Sequence, residues 1–394
     1  MHVPSPLVTA FSLRRQALDG SLASPLAVLE ACVGVYSANP AGPLSIRARA
    51  RGVRPADILA LEPAGLAVRS RAMRTSAFLV PRSTHALIRA ATDRPLERFS
   101  WMLDRAGVSA ADLPAVAERV VAVASEPLPA RELRARAGLE LEISPLVGYL
   151  CLRGDLVAMG APSLTSNQSL YVAVAAAASA AASAGGVGPL SPSRPGVSPD
   201  PAEARAWLAG AYLRSFGPAR VEDLAWWAGW PIGEARRALG GHQVVDLGDG
   251  LLLPAADLPA LEGAGSLTAD VDAPVLLPKW DAWTMGYELS GRGRFLDRDV
   301  HDRIFDGDGN GLGMVLVGGR AVGAWISRSL GARFEADLDL FDRGGGPARM
   351  RLREAVEREL GAIGTFLGYR EVRAREVDSV LPERARIRRP LDPA

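Results

Sequence analysis

Between residues 201 and 254 the apolar positions recur at helical spacing and then switch to alternation. The segment PAEARAWLAGAYLRSFG carries Ala206, Leu208, Ala211 and Tyr212 at helical spacing and stops at Gly217-Pro218. VEDLAWWAGW predicts a second helix with Glu222 and Asp223 in its first turn, where the helix dipole favours carboxylates. Pro231 opens a third, IGEARRALGG, which ends at Gly240-Gly241. HQVVDLGDGLLLP then predicts two short strands around a Gly-Asp-Gly turn. Helix, helix, helix, hairpin is the order of a winged helix, whose third helix can enter a DNA major groove.

The same grammar occurs twice more. Over 110–172, AADLPAVAERVVAVASE, PARELRARAG and SPLVGYLCLRG predict helices, and DLVAMGAPSLTSNQSLYVAV predicts a wing. Over 8–80, TAFSLRRQALDG, SPLAVLEACVGVYSA and PADILALEP precede the strands LAVRSRAMR and SAFLVP. The copies share patterning, not residue identity. Residues 185–200 are a Pro/Gly/Ser linker. Beyond about 262, apolar and alternating runs around glycine turns predict strands. A final helix, MRLREAVERELGAIGTFLG, has Leu352, Val356, Leu360 and Ile363 at core spacing, and a basic, proline-bearing tail follows. The chain reads as α+β, with winged-helix units at 1–100, 101–184 and 201–261 and a β-rich part at 262–394.

Composition narrows the class. At 394 residues and 48% hydrophobic content the chain has the make-up of a soluble protein of several domains. Net charge is only +1, yet it is unevenly spread. Residues 1–100 hold 13 Arg against 6 acidic residues, a net of +7; residues 201–300 hold 9 basic against 14 acidic, a net of −5. A basic front half presents a surface for a polyanion. Lys279 is the only lysine, and arginine favours bidentate phosphate contacts. Cys32 and Cys151 sit in apolar contexts as free thiols, which points to a reducing compartment. The four histidines lack ligand spacing, so no metal site is expected. No signal peptide is evident, and the Ala/Ser-rich tract 171–188 is too weakly apolar to span a membrane. A cytoplasmic protein with no membrane partner is expected. DGDGNGLGMVLV (306–317) begins like a calcium loop but has Val317 at position twelve, and so reads as a turn between strands.

LLPKWDAWTMGYE…RFL resembles a motif, LLPxFDxxLLGYxDRSRL, of winged-helix DNA glycosylases of the AlkZ/YcaQ type. YLRSFGPARVEDLAWWAGWPIGEARRAL is similar to that family's third winged helix, and AVRSRAMRTSAFLVP to the segment after its catalytic loop. The resemblance spans nearly the whole chain. It implies three tandem winged helices, a barrel-like C-terminal domain, and hydrolysis of the N-glycosidic bond of alkylated purines, crosslinks included. It implies no cofactor, no metal and no lyase step. The partner it implies is damaged double-stranded DNA.

In those enzymes a Gln-hydrophobic-Gln or Gln-hydrophobic-Asp motif lies between a helix end and prolines. Here that place is held by VGVYSANPAGP. Ungapped alignment puts Tyr36 and Ala38 on the glutamine positions, and a shift by one puts Ser37 and Asn39 there; neither supplies glutamine. Hydrolysis passes through an oxocarbenium-like sugar, so the protein must hold a water and stabilise positive charge. Tyr36, Ser37 and Asn39 are therefore the catalytic candidates. Asn39 can hold a water or make an Asx turn before Pro40, and Tyr36 can act through its hydroxyl or pack in the core. Arg47, Arg49 and Arg51 alternate as an extended face would present them; with Arg69, Arg71 and Arg74 they are candidates for phosphate contact. Ser166, Asn167 and Gln168 lie at the second wing's turn, suited to a minor groove. Asp281, beside Trp280, is either a supporting carboxylate of raised pKa or a structural acceptor, and Lys279 is read as a surface residue. Two further functions stay open: DNA binding without chemistry, and a fold recruited to a non-DNA ligand.

Overall fold

A computed structural model describes residues 5–183, 199–265, 270, 272–342 and 346–381. The linker expected over 185–200 lies outside the described residues up to 198, as does the tail from 382 onward. The architecture is mixed α+β, and the element order follows the sequence pattern closely. Helices Pro201–Phe216, Val221–Ala228 and Ile232–Leu239 precede the strands Val244–Asp246 and Leu252–Pro254. Their turn is the expected Gly-Asp-Gly, with Gly248, Asp249 and Gly250 all at positive φ. Helices Leu113–Val123, Ala130–Arg136 and Ile143–Arg153 precede the strands Leu156–Gly160 and Ser169–Ala173.

By its internal contacts the chain forms two compact units. One contains the residues up to Tyr36, Pro40–Pro55, and those from Ala209 onward; the other contains Ser37–Asn39 and Ala56–Leu208. The second unit has its core where the three helices meet their strands, around the fully buried Val120, Leu133, Leu146, Val147 and Leu150. It also holds the antiparallel pair Ala67–Arg71 and Ala77–Pro81, followed by helix Arg82–Thr92.

In the first unit a five-stranded sheet runs in the order Glu371–Glu376, Arg333–Leu340, Arg320–Leu330, Gly313–Val317, Val275–Leu277. The first pair is parallel and the rest antiparallel. Helix Pro347–Phe366 connects the parallel pair, and its Leu352, Val356, Leu360 and Ile363 pack against Phe334, Leu338 and Val315. The barrel-like closure implied by the family resemblance is not found: the described sheet is open, its edges Val275–Leu277 and Glu371–Glu376. The helix covers the apolar face, so that face is buried without the sheet closing on itself.

The stretch after Asn39 also departs from expectation. Residues Ala41–Arg49 form a helix, not an extended face, so Arg47 and Arg49 do not alternate as on a strand. Pro43 is tolerated because the first turn of a helix has no intrahelical use for its N–H groups. The helix turns Arg49 into the interior, where its guanidinium meets Asp281, both side chains fully buried. Nη1 and Nη2 each lie 2.8 Å from one carboxylate oxygen. Ser45 Oγ donates to the same carboxylate, as does the Trp283 N–H at 2.8 Å. Nη2 also donates to Gln16 Oε1 at 3.1 Å, and Gln16 Nε2 donates to the carbonyl of Ser215 at 2.8 Å. Burial alone would lower the Arg49 pKa, but the Asp281 carboxylate reverses this and the guanidinium stays charged. A buried charge stripped of its partner costs roughly 3–5 kcal/mol. Arg49→Met and Asp281→Leu alone should each destabilise this unit by about that much in urea unfolding. The double variant should lose clearly less than the sum, and strict additivity would contradict a coupled pair.

Candidate functional site

Ser37, Ala38 and Asn39 form a short loop whose geometry is set by the turn at 163–168. The Asn39 N–H donates to Asn167 Oδ1 at 2.7 Å, and Asn167 Nδ2 donates back to the Asn39 carbonyl at 2.7 Å. One side-chain amide thus pairs with one backbone position as a neighbouring strand would. Asn39 Nδ2 spends both of its hydrogens on main-chain carbonyls, Ser163 at 2.9 Å and Ser166 at 2.8 Å. With both amide hydrogens committed, the orientation of the group is fixed. Its carbonyl oxygen Oδ1 takes no hydrogen bond from the described residues, and it is not among their enclosed, unpaired polar atoms. Asn39 is buried overall, and its amide is held by the carbonyls of Ser163 and Ser166, not by the Asx turn expected before Pro40. The Ser37 N–H donates to the Ala77 carbonyl at 3.0 Å, and Arg69 Nη1 donates to the Ser37 carbonyl at 2.7 Å. Arg69 is itself held by Glu62, with Nε 2.9 Å from Oε2.

A cavity of about 180 Å³ opens beside this loop, within the same unit. Sequence reasoning singled out Ser37, Arg69 and Arg71 of its lining; it missed Ser70, His85, Cys151 and Tyr171. His85 Nε2 lies 3.1 Å from Ser70 Oγ. Ser70 Oγ donates to the Arg71 carbonyl at 3.2 Å, which leaves it to accept from the imidazole N–H. Burial, with Arg89 and Arg82 adding repulsion, brings the His85 pKa down to about 4, so the ring is neutral. Burial pushes the Cys151 thiol up to about 12 and raises the Tyr171 phenol as well. The polar groups of the cavity floor are therefore uncharged near neutral pH. Its cations are guanidiniums. Arg89 pairs with Asp93, whereas Arg71 is exposed, donates to the Thr75 carbonyl at 2.9 Å, and makes no ion pair among the described residues.

The remaining candidates occupy other places. Arg74 sits at φ 54° in the turn between the two strands of this unit. Asn167 and Gln168 are exposed, but the Asn167 amide is committed to Asn39. In the other unit, Arg47 pairs with Glu359 and Arg51 is exposed. Arg49 is fully enclosed, which removes it from the phosphate-contact set: a guanidinium already bidentate to a buried carboxylate has no face left for a phosphate. Tyr36 and Trp280 stack with ring centroids 6.4 Å apart, and the Lys279 ammonium lies 4.1 Å from the indole centroid. Trp280 has φ 59°, in the left-handed region; its N–H donates to Gly311 and its indole N–H to Asn310 Oδ1. Asp281 is the structural acceptor of the two alternatives. Among the described residues no group of three His, Cys, Asp or Glu side chains could hold a metal ion, and no helix is long and apolar enough to cross a membrane.

A family model described as DNA glycosylase AlkZ-like matches residues 30–366. Among solved structures, the chain is similar to Streptomyces sahachiroi DNA glycosylase AlkZ. The two are 18% identical with a TM-score of 0.67, and the match covers 96% of this chain and 100% of that one. At that identity the likeness speaks for the fold. A comparison with curated proteins finds no match.

The His85 environment has a measurable consequence. Between pH 6.5 and about 4 the unfolded chain takes up a proton at this ring and the folded chain does not. Stability contributed by the neutral ring is therefore complete above pH 6.5 and declines as pH falls towards 4, by at most about 3 kcal/mol. His85→Asn should flatten the dependence of the urea midpoint on pH across this window; parallel profiles for wild type and variant would contradict it.

Proposed function

Because the chain belongs to the AlkZ-like DNA glycosylase family, we propose that it is a monofunctional glycosylase that hydrolyses the N-glycosidic bond of alkylated or bulky-adducted purines, crosslinked ones included, in damaged double-stranded DNA. The observation that carries the chemistry is the Asn39 amide. Its nitrogen is pinned by two peptide carbonyls, so its oxygen is presented as a fixed acceptor. Such an acceptor can orient a water for attack on the anomeric carbon and lower the energy of the cationic sugar, with no reorganisation at the moment of reaction. A cationic alkylated purine leaves without strong acid assistance, so neutral Tyr36, Ser37 and Asn39 are adequate catalytic groups. The turn at Ser166–Gln168 acts here as the support that aims Asn39, with exposed Gln168 free to meet the duplex. No metal or cofactor enters the proposal.

Binding is assigned to the exposed guanidiniums of Arg51 and Arg71, which contribute salt-dependent affinity without sequence preference. The helix-helix-helix-hairpin order at 101–184 and 201–261, and its looser counterpart at 1–100, supports reading these segments as tandem winged helices. Ala38, which has no polar group, occupies the second glutamine position in the ungapped alignment. That residue favours the second reading, a DNA-binding protein without chemistry.

Duplexes carrying methylated purines, bulky purine adducts or an interstrand crosslink, incubated with the protein and heated in alkali, decide between them. Strand breaks at the lesion are expected, reduced by about 100-fold or more in Asn39→Ala and by less than tenfold in Tyr36→Phe. Retained duplex binding with no breaks on any substrate would leave the second reading. Arg51→Ala and Arg71→Ala should each reduce the slope of log affinity against log salt by about one. A flat salt response in the wild type would count against both readings.

A further inference from the structure

The turn at 163–168 grips the loop at Asn39, and a second hold acts on its other end, at Ser37. Arg69, on the strand Ala67–Arg71, reaches across to it: Nη1 donates to the Ser37 carbonyl at 2.7 Å, and Nε donates to Glu62 Oε2 at 2.9 Å. The Glu62 carboxylate in turn accepts the Gly160 N–H, at 3.3 Å on Oε1 and 3.2 Å on Oε2. Gly160 ends the strand Leu156–Gly160, whose following turn is the one that holds Asn39. The ion pair lies directly against the backbone there. A methyl group at position 160 would overlap Arg69 Nη2 and come within 2.8 Å of Arg69 Cζ and of Glu62 Oε2. Gly160 is not at positive φ, so space and not backbone conformation calls for glycine. The Arg69 and Glu62 side chains are only 17% and 15% exposed, which leaves little of the guanidinium for a phosphate. All of these residues belong to one compact unit.

We infer that Glu62, Arg69 and Gly160 form a tether that fixes the Ser37 end of the loop, so that Arg69 is a positioning residue for Asn39 and not a phosphate contact. Each part has its own task. The guanidinium is planar and offers donors in a fixed fork, so one side chain holds a carboxylate on one edge and a peptide carbonyl on another. The carboxylate sets the direction of the fork and ties it to the strand Leu156–Gly160. The missing side chain at 160 lets the pair lie flat on that strand. Asn39 is two residues from Ser37, so drift of the Ser37 carbonyl passes along a short piece of chain to the Asn39 amide. A misplacement of about 1 Å in a catalytic group costs roughly 100-fold in rate. The tether itself stands on geometry, whereas its effect on rate rests on the glycosylase reading above.

Two readouts separate the tether from that reading: amide hydrogen exchange of the loop, and single-turnover cleavage of the lesion duplexes above. In Arg69→Met and Glu62→Gln the Ser37 and Asn39 amides should exchange about tenfold faster, while those of helix Ile143–Arg153 in the same unit keep their wild-type rates. The cleavage rate at saturating protein should fall about 100-fold in Arg69→Met and about tenfold in Glu62→Gln, with duplex affinity within about threefold and its salt slope unchanged. Gly160→Ala keeps both charges and collides only with the ends of two flexible side chains, so it serves where Arg69→Met fails to fold. It should match Glu62→Gln in both readouts. Loop exchange unaltered in all three variants would overturn the tether and leave the glycosylase reading intact, and faster exchange with an unchanged cleavage rate would overturn the positioning role. A salt slope lowered by about one in Arg69→Met alone would overturn it too, since that marks a phosphate contact. A wild type that cuts no lesion, with variants that still show the faster loop exchange, would uphold the tether and remove the glycosylase reading.

Discussion

The ion pair between Arg49 and Asp281 is the constraint around which the first unit is built. Two charges taken fully out of water are tolerated only where each is met by a partner and by further hydrogen bonds, and that requirement fixes the chain around them. The carboxylate is met by the guanidinium, the Ser45 hydroxyl and the Trp283 N–H. The guanidinium passes through Gln16 to the carbonyl at Ser215. Four segments far apart in sequence, at 16, 45–49, 215 and 281–283, are thereby held to one arrangement. Within this network the buried Arg49 Nε and the Trp283 indole N–H have no hydrogen-bond partner among the described residues. The same tripeptide that supplies Asp281 also supplies Lys279 and Trp280. So the segment that anchors helix Ala41–Arg49 also stacks against Tyr36, which directly precedes residues 37–39 in the sequence.

Much of the fold was legible from periodicity because most elements end at residues with one physical meaning. Gly217-Pro218, Pro231, Gly240 and the Gly-Asp-Gly turn mark off 201–254 so sharply that its helices and strands lie where the pattern puts them. Helix Pro347–Phe366 was equally plain from its apolar spacing. The short helix Ala41–Arg49 was hidden by Pro40 and Pro43, which usually break helices but here occupy its N-terminal cap and first turn. Its arginines were misread with it. Alternation at three positions, of which the helix holds only Arg47 and Arg49, cannot distinguish a strand from the end of a short helix. Sheet closure was hidden for another reason: strand number and alternation do not say whether edges meet, and here a crossover helix does the covering.

Of the candidate site, the loop was legible in the sequence and its surroundings were not. The place of Tyr36, Ser37 and Asn39 follows from the family resemblance. Asn167 was noted as a polar turn residue, yet nothing local shows that its amide reaches back about 130 positions to Asn39. Ser70 and Tyr171 left no trace and His85 little, because a lone histidine on a helix and a serine on a strand are unremarkable until the fold puts them 3.1 Å apart. The one available signal was His85 falling three positions into an amphipathic helix, on the face shared with Ile88.

The Asn39–Asn167 exchange involves the main chain of position 39, and the partners of the Asn39 amide are themselves peptide carbonyls. The path of the loop is thus written in backbone contacts and in two asparagines. A chain so anchored leaves latitude at the neighbouring position 38, whose side chain can change while the loop keeps its course. Side chains along the loop can then change by single substitutions on an unmoved scaffold.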